Sequence, residues 1–351
     1  MSDVEDVKKK SKHLRLTLKE SLNASTRAFD AEERHIIKFH GIYQQDDRDE
    51  RVERQKAKQD PAWMLMVRSK LPGGSLTAEQ YLALDRLATL WGNGTLRITT
   101  RQDFQFHGVY KSNVRDLIRS LNEVQVTTFG GCGDVERNVV ASSCPYNTPA
   151  HQDVQRTARE VSNALLPKTN SYFDVWLDGK KLQLSEEPEV DPLYGETYLP
   201  RKFKTAIVVP PDNDVDIYAH DLGFVAHAPN GQIEGYTVLA GGGFGMDHGK
   251  VATYPFLAIP MFYIRKEDAI DVAKAVISVH RDFGDRTNRK HARVKFIIVE
   301  RGAEWFINEV KTRFGKPTEP PKPFTLKSVA DSLGWHEQGD EQKRLFCTVK
   351  V

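Results

Sequence analysis

Gly94-Thr95-Leu96-Arg97-Ile98-Thr99-Thr100-Arg101-Gln102-Asp103-Phe104-Gln105-Phe106-His107-Gly108-Val109 is the stretch that decides the fold. Apolar and polar residues alternate through 95–101 and again through 104–109, the period of strands with one covered face, and Gln102-Asp103 supplies the turn between them. Side chains of successive strand residues point to opposite faces. Arg97, Thr99 and Arg101 therefore share one face of the first strand, with Leu96 and Ile98 on the other. In the second strand Gln105 and His107 share a face opposite Phe104 and Phe106. Pairing the two apolar faces gathers Arg97, Arg101, Gln105 and His107 on the far side, a surface suited to a polyanion because Arg forks match carboxylates and phosphates. A solvated sheet face with scattered charges is the competing reading.

Outward from this hairpin the flanking pattern fits. Trp63 to Ser69 is a short apolar strand ending at Pro72-Gly73-Gly74. Thr77 and Gln80 have capping-box spacing, with Leu76 and Tyr81 placed as a hydrophobic staple. Tyr81, Leu84, Ala88 and Trp91 then recur at helical spacing up to Gly92 and Gly94. Val114, Leu117, Ile118 and Leu121 predict a second helix, and 125–129 a closing strand. Strand-helix-strand-strand-helix-strand is the ferredoxin-like order. An RNA-recognition domain shares it and would use Phe104 and Phe106 as stacking platforms, but its basic-glycine-aromatic signature is missing, and the helices need that apolar face.

The rest of the chain divides around this unit. Residues 1–60 are charge-dense and read as an N-terminal arm with one or two helices; 61–133 are the ferredoxin-like half-domain. Residues 134–316 read as a larger mixed domain, with hairpin signals at Asp178-Gly179 and Asn230-Gly231 and helices at 151–165 and 267–283. Pro317, Pro320, Pro321 and Pro323 open a stretch, 317–351, read as a linker and one strand from Arg344 to Val351. The fold class is α+β.

Of 351 residues, 39% are hydrophobic and 28% charged, and the net charge is only +2, which excludes general disorder. No run approaches a membrane helix, and the acidic N-terminus is neither a secretory signal nor a good transit peptide. Three cysteines, Cys132, Cys144 and Cys347, form no disulfide framework and suit a reducing cytoplasm. Cys132 and Cys144 have eleven residues between them and no close partner, so this chain builds no zinc or iron–sulfur site by spacing. Gly241 to Gly245 does not match the dinucleotide fingerprint, and neither a Walker loop nor a nucleophile elbow occurs. Basic clusters recur at Arg137, beside Asn138; at Arg201-Lys202-Phe203-Lys204; and at Arg281, Arg286, Arg289, Lys290, Arg293 and Lys295. Together with the arginine face, they suggest a concentrated positive cavity.

At these residues the chain resembles the siroheme-containing sulfite reductase hemoprotein of the sulfite/nitrite reductase superfamily. The resemblance runs from Gly94 to Gln102 and Phe104 to Gly108, through Lys38 to Asp49 and Leu71 to Gly74, to Tyr198–Lys204, Gly241–Gly249 and Asp285–Lys290. It covers nearly everything after about residue 35 and implies reduction of sulfite to sulfide by six electrons, with siroheme coupled to a 4Fe-4S cluster. By resemblance, Arg97, Arg101, Gln105, His107 and Arg293 would hold siroheme carboxylates; relatives often have Lys at the last. Arg68, Arg137, Lys202 and Lys204 match the basic residues around the substrate, where they would bind the anion and relay protons, and Asn138 would shape the pocket. The 134–316 region would be the siroheme-binding domain. No metal ligand is assigned, because the family's four cluster cysteines lie in a C-terminal half whose spacing these three cysteines lack. The resemblance thus implies a chain cut off early in a second ferredoxin-like repeat, inactive by itself, whose partners are sulfite, the missing half, and a ferredoxin or flavoprotein reductase subunit as electron donor. Siroheme nitrite reductase is the enzymatic alternative. A non-catalytic polyanion- or nucleic-acid-binding module is the alternative of another class.

Overall fold

Phe104 and Phe106 alternate inward along a six-residue strand because burying those side chains needs a period of two, Val109 follows after one extra residue, and around that strand the first sheet is built. In the computed structural model the strands β1 (Ile42–Asp46), β2 (Trp63–Arg68), β3 (Leu96–Ile98) and β4 (Phe104–Val109) lie in the order β1-β2-β4-β3, all antiparallel. The structure describes residues 3–143, 145–168, 175–177, 180–182, 190–327 and 332–349. It divides into one unit of 1–71, 76–135 and 166–198 and another of 72–75, 136–165 and 199–351.

In the first unit, the helices Ala78–Trp91 and Val114–Glu123 bring Leu84, Leu87, Ala88, Val114, Leu117 and Leu121 into one core with Leu65, Val67, Phe104 and Phe106. The predicted capping box is formed: Gln80 N–H donates to Thr77 Oγ1 at 3.1 Å, and Thr77 N–H to Gln80 Oε1 at 2.9 Å. The expected closing strand at 125–129 is not formed. Gln125 sits at φ +59°, which breaks an extended run, and Thr127 pairs only in an isolated bridge with Lys70. The edge beside β2 is taken by β1, drawn from the segment read as a helical arm, in a five-residue antiparallel register. The arm also holds the helices Asp3–Lys10 and Arg48–Lys56. Gly108, at φ +71°, sits where β4 carries one extra residue: pairing with β2 steps from Val67–Phe106 to Leu65–Val109.

In the chain order of the rest, β5 (Val140–Ala141) precedes a short antiparallel pair, β6 (Val175–Leu177) and β7 (Lys180–Leu182); the Asp178-Gly179 turn expected there lies outside the described residues. The second unit's sheet has the order β11-β10-β9-β8-β5, from β8 (Thr205–Val208), β9 (Leu222–His227), β10 (Gly235–Ala240) and β11 (Ile259–Arg265). Every residue of β8 and β10 is buried, the mark of strands covered on both faces. The helix Ala269–Phe283 packs on Pro149–Ala164 and on Ala303–Phe314. Both strands flanking Asn230-Gly231 form the predicted hairpin, with Gly231 at φ +76°.

The proline segment lies along this sheet. Glu319 and Tyr263 exchange backbone hydrogen bonds of 2.9 and 3.1 Å, Lys322 N–H donates to Thr237 Oγ1 at 3.1 Å, and Phe324 and Leu326 pack against the core. The last strand is not alone, as the sequence suggested. β12 (Gly334–Glu337) pairs antiparallel with β13 (Leu345–Thr348), and Phe346 packs edge-on against Tyr146.

Candidate functional site

The site residues expected from the sequence fall in two basic clusters, one in each unit. In the first unit, Arg68 of β2 pairs in register with Gln105 of β4, which pairs in turn with Arg97 of β3. Register partners share a face, so the three form a row across the sheet while Val67 and Phe106 face the core. The Gln105 amide bridges its neighbours: its oxygen accepts from Arg68 and its nitrogen donates to His107 Nε2 at 3.0 Å. Burial, then Arg97, then Arg68, hold the His107 imidazole below its usual range, so it is neutral near pH 7 and accepts that bond. Arg97 is exposed and has no ion pair among the described residues.

Within β3 the alternation holds, since Ile98 pairs in register with Phe104 on the apolar face, but beyond it the hairpin departs from the reading. β3 ends at Ile98, which is 56% exposed and not packed in the core. Beyond it Thr99 N–H donates to Asp103 O at 3.0 Å and Gln102 takes φ +53°, so the chain turns before Arg101 can continue the strand. Arg101 is buried in that turn and leaves the row formed by Arg97 and Gln105. Asp103, also buried, accepts from Thr99 Oγ1 at 2.5 Å and lies 3.7 Å from Arg68 Nε. Thus Arg68 joins Arg97, Gln105 and His107, and Arg101 stands beside them in the turn.

In the second unit, Arg137 and Asn138, both buried, lead into β5, and Arg137 N–H donates to Phe203 O at 3.0 Å. Phe203 is fully enclosed, with its ring 5.9 Å from that of His280. Lys202 and Lys204, on either side of it, are only partly buried, as the predicted alternation requires. The Lys202 ammonium has no carboxylate within ion-pair distance among the described residues. Burial, then Arg137, Arg293 and Arg201, push its pKa down to about 8, and Asp221 opposes them. Arg293 binds Asp221 with both arms of its fork, at 2.8 and 2.7 Å, and reaches Gly242 O at 3.3 Å.

Other basic residues after 280 are tied up internally. Arg286 donates to Arg281 O, Arg289 to Pro200 O, and Lys290 pairs with Asp247. Buried Lys295 donates to the carbonyls of Gly243 and Gly245, each at 3.2 Å, and of Tyr254, and so holds the glycine run in place. That run has a steric reason for glycine: a Cβ on Gly242 would strike the backbone of Tyr218 and His220. Asp221 and Lys295 escaped the sequence reading as organising groups. A charged residue just before the apolar run Leu222–Ala226 was the available signal for Asp221.

Among the described residues no group of three or more His, Cys, Asp or Glu is placed to hold a metal ion. Cys132 is fully buried, Cys347 is exposed on β13, and Cys144 lies outside the described residues. No described helix is long and apolar enough to cross a membrane.

Residues 56–124 match the nitrite/sulfite reductase ferredoxin-like half domain, and 157–318 the nitrite and sulphite reductase 4Fe-4S domain. A sulfite reductase (NADPH) hemoprotein beta-component of Myxococcus xanthus (strain DK1622) is 47% identical over 341 residues, 97% of this chain and 60% of the relative. One of the same name from Anoxybacillus flavithermus is 45% identical over 96% of this chain and 59% of the relative. The chain thus spans about three fifths of the length of the curated relatives it matches. Among solved structures, the Mycobacterium tuberculosis NirA protein superposes over 95% of this chain and 57% of its own, with a TM-score of 0.73 at 23% identity, a likeness of fold.

Proposed function

Because the chain belongs to the nitrite and sulphite reductase family, we propose that it supplies the anion- and siroheme-binding part of an assimilatory sulfite reductase, which converts sulfite to sulfide with six electrons. The observation that carries this reading is Lys202, a part-buried cation without an ion pair among the described residues, set among Arg137, Arg201 and Arg293. Such a surplus of positive charge is stabilised by a bound anion.

The roles follow from the chemistry of each group. Arg137, Lys202 and Lys204 would bind sulfite and offset charge that builds on its oxygens. Each oxygen leaves as water, and Lys202, charged at neutral pH yet close to losing its proton, is suited to give one up. The Arg68–Gln105–Arg97 row fits a carboxylate-rich macrocycle: Arg97 is exposed and unpaired among the described residues, and Arg68 has one buried acid, Asp103, nearby. Arg97, Arg101, Gln105, His107 and Arg293 are the groups proposed to hold siroheme, with Arg293 already engaged by Asp221 and Asn138 shaping the pocket, while Arg68 is proposed, like Arg137, Lys202 and Lys204, to act on the substrate. Siroheme, when bound, supplies the iron at which sulfite is reduced. The thiols of this chain do not fit a 4Fe-4S cluster, since its three cysteines are one short of four ligands and no metal-holding group forms among the described residues. Electrons would come from a separate flavoprotein or ferredoxin donor, and the cytoplasm is the proposed compartment.

The test is sulfide production from sulfite by the cofactor-loaded enzyme assembled with the portion its longer relatives carry beyond the matched region, and bearing Lys204→Met. Turnover should fall by roughly 100- to 1,000-fold, the loss typical of one preorganised donor, with siroheme absorbance per polypeptide unchanged. Undiminished sulfite turnover would remove Lys204 from the site. Faster reduction of nitrite than of sulfite by the unmodified protein would assign the chain to the other branch of the family.

A further inference from the structure

The carboxylate of Asp221 stands where three segments of the second unit's basic cluster meet. The residue is fully buried, at the foot of β9 just before an apolar run. Its Oδ1 accepts from Arg293 Nε at 2.8 Å, and its Oδ2 from the Arg293 terminal nitrogen at 2.7 Å and from Lys204 N–H at 3.0 Å. The backbone repeats the connection: Leu222 N–H donates to Lys204 O at 3.1 Å, and Asp221 O accepts from Gly241 N–H at 2.9 Å. Lys204 is therefore gripped at both its N–H and its carbonyl, and the glycine run starts from the same residue.

We infer that Asp221 is the positioning residue of the anion site, the buried counter-ion that fixes Lys204 and Arg293 and sets how much positive charge surrounds Lys202. The inference rests on the reading of this cluster as an anion site. Its physical basis is the fate of Arg293. Paired to Asp221 through both arms, Arg293 adds little net field; unpaired, it becomes a bare cation acting on Lys202. The charged groups acting on Lys202 are Arg137, Arg293, Arg201 and Asp221, and Asp221 alone among them favours its protonated form. His280, which faces Asp221, is buried and held neutral, its pKa pushed down to about 4, so it supplies no competing cation. A site that must be cationic to hold sulfite and also able to release a proton needs this balance. Without Asp221 the Lys202 proton would leave at lower pH, and the anion would lose a partner.

The experiment follows the Lys202 titration directly. In polypeptide 1–351 with lysine labelled at Cε, the Lys202 resonance is identified by its loss in Lys202→Met and followed by NMR from about pH 6 to pH 10. The midpoint in the unmodified chain should lie near 8. Asp221→Asn, nearly isosteric and still able to accept from Lys204 N–H, should lower it by roughly one pH unit. Arg293→Gln should raise it, and the double variant, with a neutral pair in place of the ion pair, should return it toward the unmodified value. Loss of packing alone does not give shifts of opposite sign that cancel in combination. An Asp221→Asn midpoint equal to that of the unmodified chain overturns the inference. Should Asp221→Asn fail to fold, Arg293→Gln decides, because an unmoved midpoint there is equally fatal. Titration with sulfite separates this inference from the functional reading. If the midpoints move as stated while sulfite affinity at fixed pH does not, Asp221 keeps its charge-setting role and the anion-site assignment falls.

Discussion

Replacing His280 with glutamine should make the protein less stable in mild base and more stable in mild acid. His280 is completely buried on the helix Ala269–Phe283, donates from Nε2 to Ala292 O at 2.8 Å, and leaves Nδ1 enclosed without a hydrogen-bond partner among the described residues. Burial lowers its pKa to about 4; Asp221 and the Ala292 bond oppose that, while Arg293 and Arg286 add to it. The unfolded chain binds a proton near pH 6.5, whereas the folded chain does not until about pH 4. Stability is therefore fully present above 6.5, and it falls as pH drops because the unfolded state then holds more protons. At ~1.4 kcal/mol per pH unit, the loss reaches about 2 kcal/mol at pH 5 and about 3 kcal/mol at pH 4. The His280→Gln side chain would keep a donor but not the ring packing against Phe203, a loss of about 1 kcal/mol at pH 8. The two stability curves should thus cross near ~pH 5.8, where the acid penalty equals that loss. Urea unfolding at a series of pH values measures both, and the difference between the curves isolates His280 from groups common to both proteins. Parallel curves between pH 8 and pH 5 would refute the reasoning.

Arg97→Gln should reduce siroheme retention while leaving unfolding within about 0.5 kcal/mol of the unmodified protein, because the side chain is exposed. Arg101→Gln should also lower the denaturation midpoint, because that guanidinium is buried; siroheme absorbance per polypeptide and urea unfolding together distinguish the two. Sulfite affinity should weaken as pH rises through about 8, where Lys202 loses its charge, and Lys202→Arg should flatten that dependence when followed by calorimetric titration. Anaerobic reconstitution of polypeptide 1–351 with iron and sulfide should leave no 4Fe-4S electron paramagnetic resonance signal on reduction, because its three cysteines are one short of the four thiolates such a cluster takes; a stoichiometric cluster would show that other ligands serve.

Local rules made much of the fold legible. The capping box at Thr77 and Gln80 and the stripe Leu84–Ala88 depend on residues within one or two helical turns, and both are formed as expected. The closing strand was a nonlocal question. Residues 125–129 have strand composition, but Gln125 takes a left-handed backbone, and the edge of β2 goes to Ile42–Asp46, about twenty residues before it in the chain. Nothing local to either segment ranks them as competitors for one edge. The proline cluster shows the same limit from the other side. Composition predicts a spacer, whereas Glu319, Lys322 and Phe324 bind to strands and core that composition does not describe.

For the candidate site, spacing located cations and lost their counter-ions. Lys202 and Lys204 lie on the predicted face because Phe203 between them must be buried, and that constraint is local. Arg101 lies beyond the strand predicted to hold it, because β3 ends at Ile98, three residues early. Asp221 and Asp103 were invisible in a different way. Each is one acid among 48, and each matters because folding places it against an arginine distant in sequence: Arg293 is 72 positions from Asp221, and Arg68 lies 35 before Asp103. Breaking such a buried pair by removing one partner typically costs about 3–5 kcal/mol, so these acids decide which arginines are structural. A basic cluster read from sequence is therefore an upper bound on the charge available to a ligand. In the second unit Arg293 is already matched by Asp221, whereas the charge of Lys202, without an ion pair among the described residues, is not offset in that way.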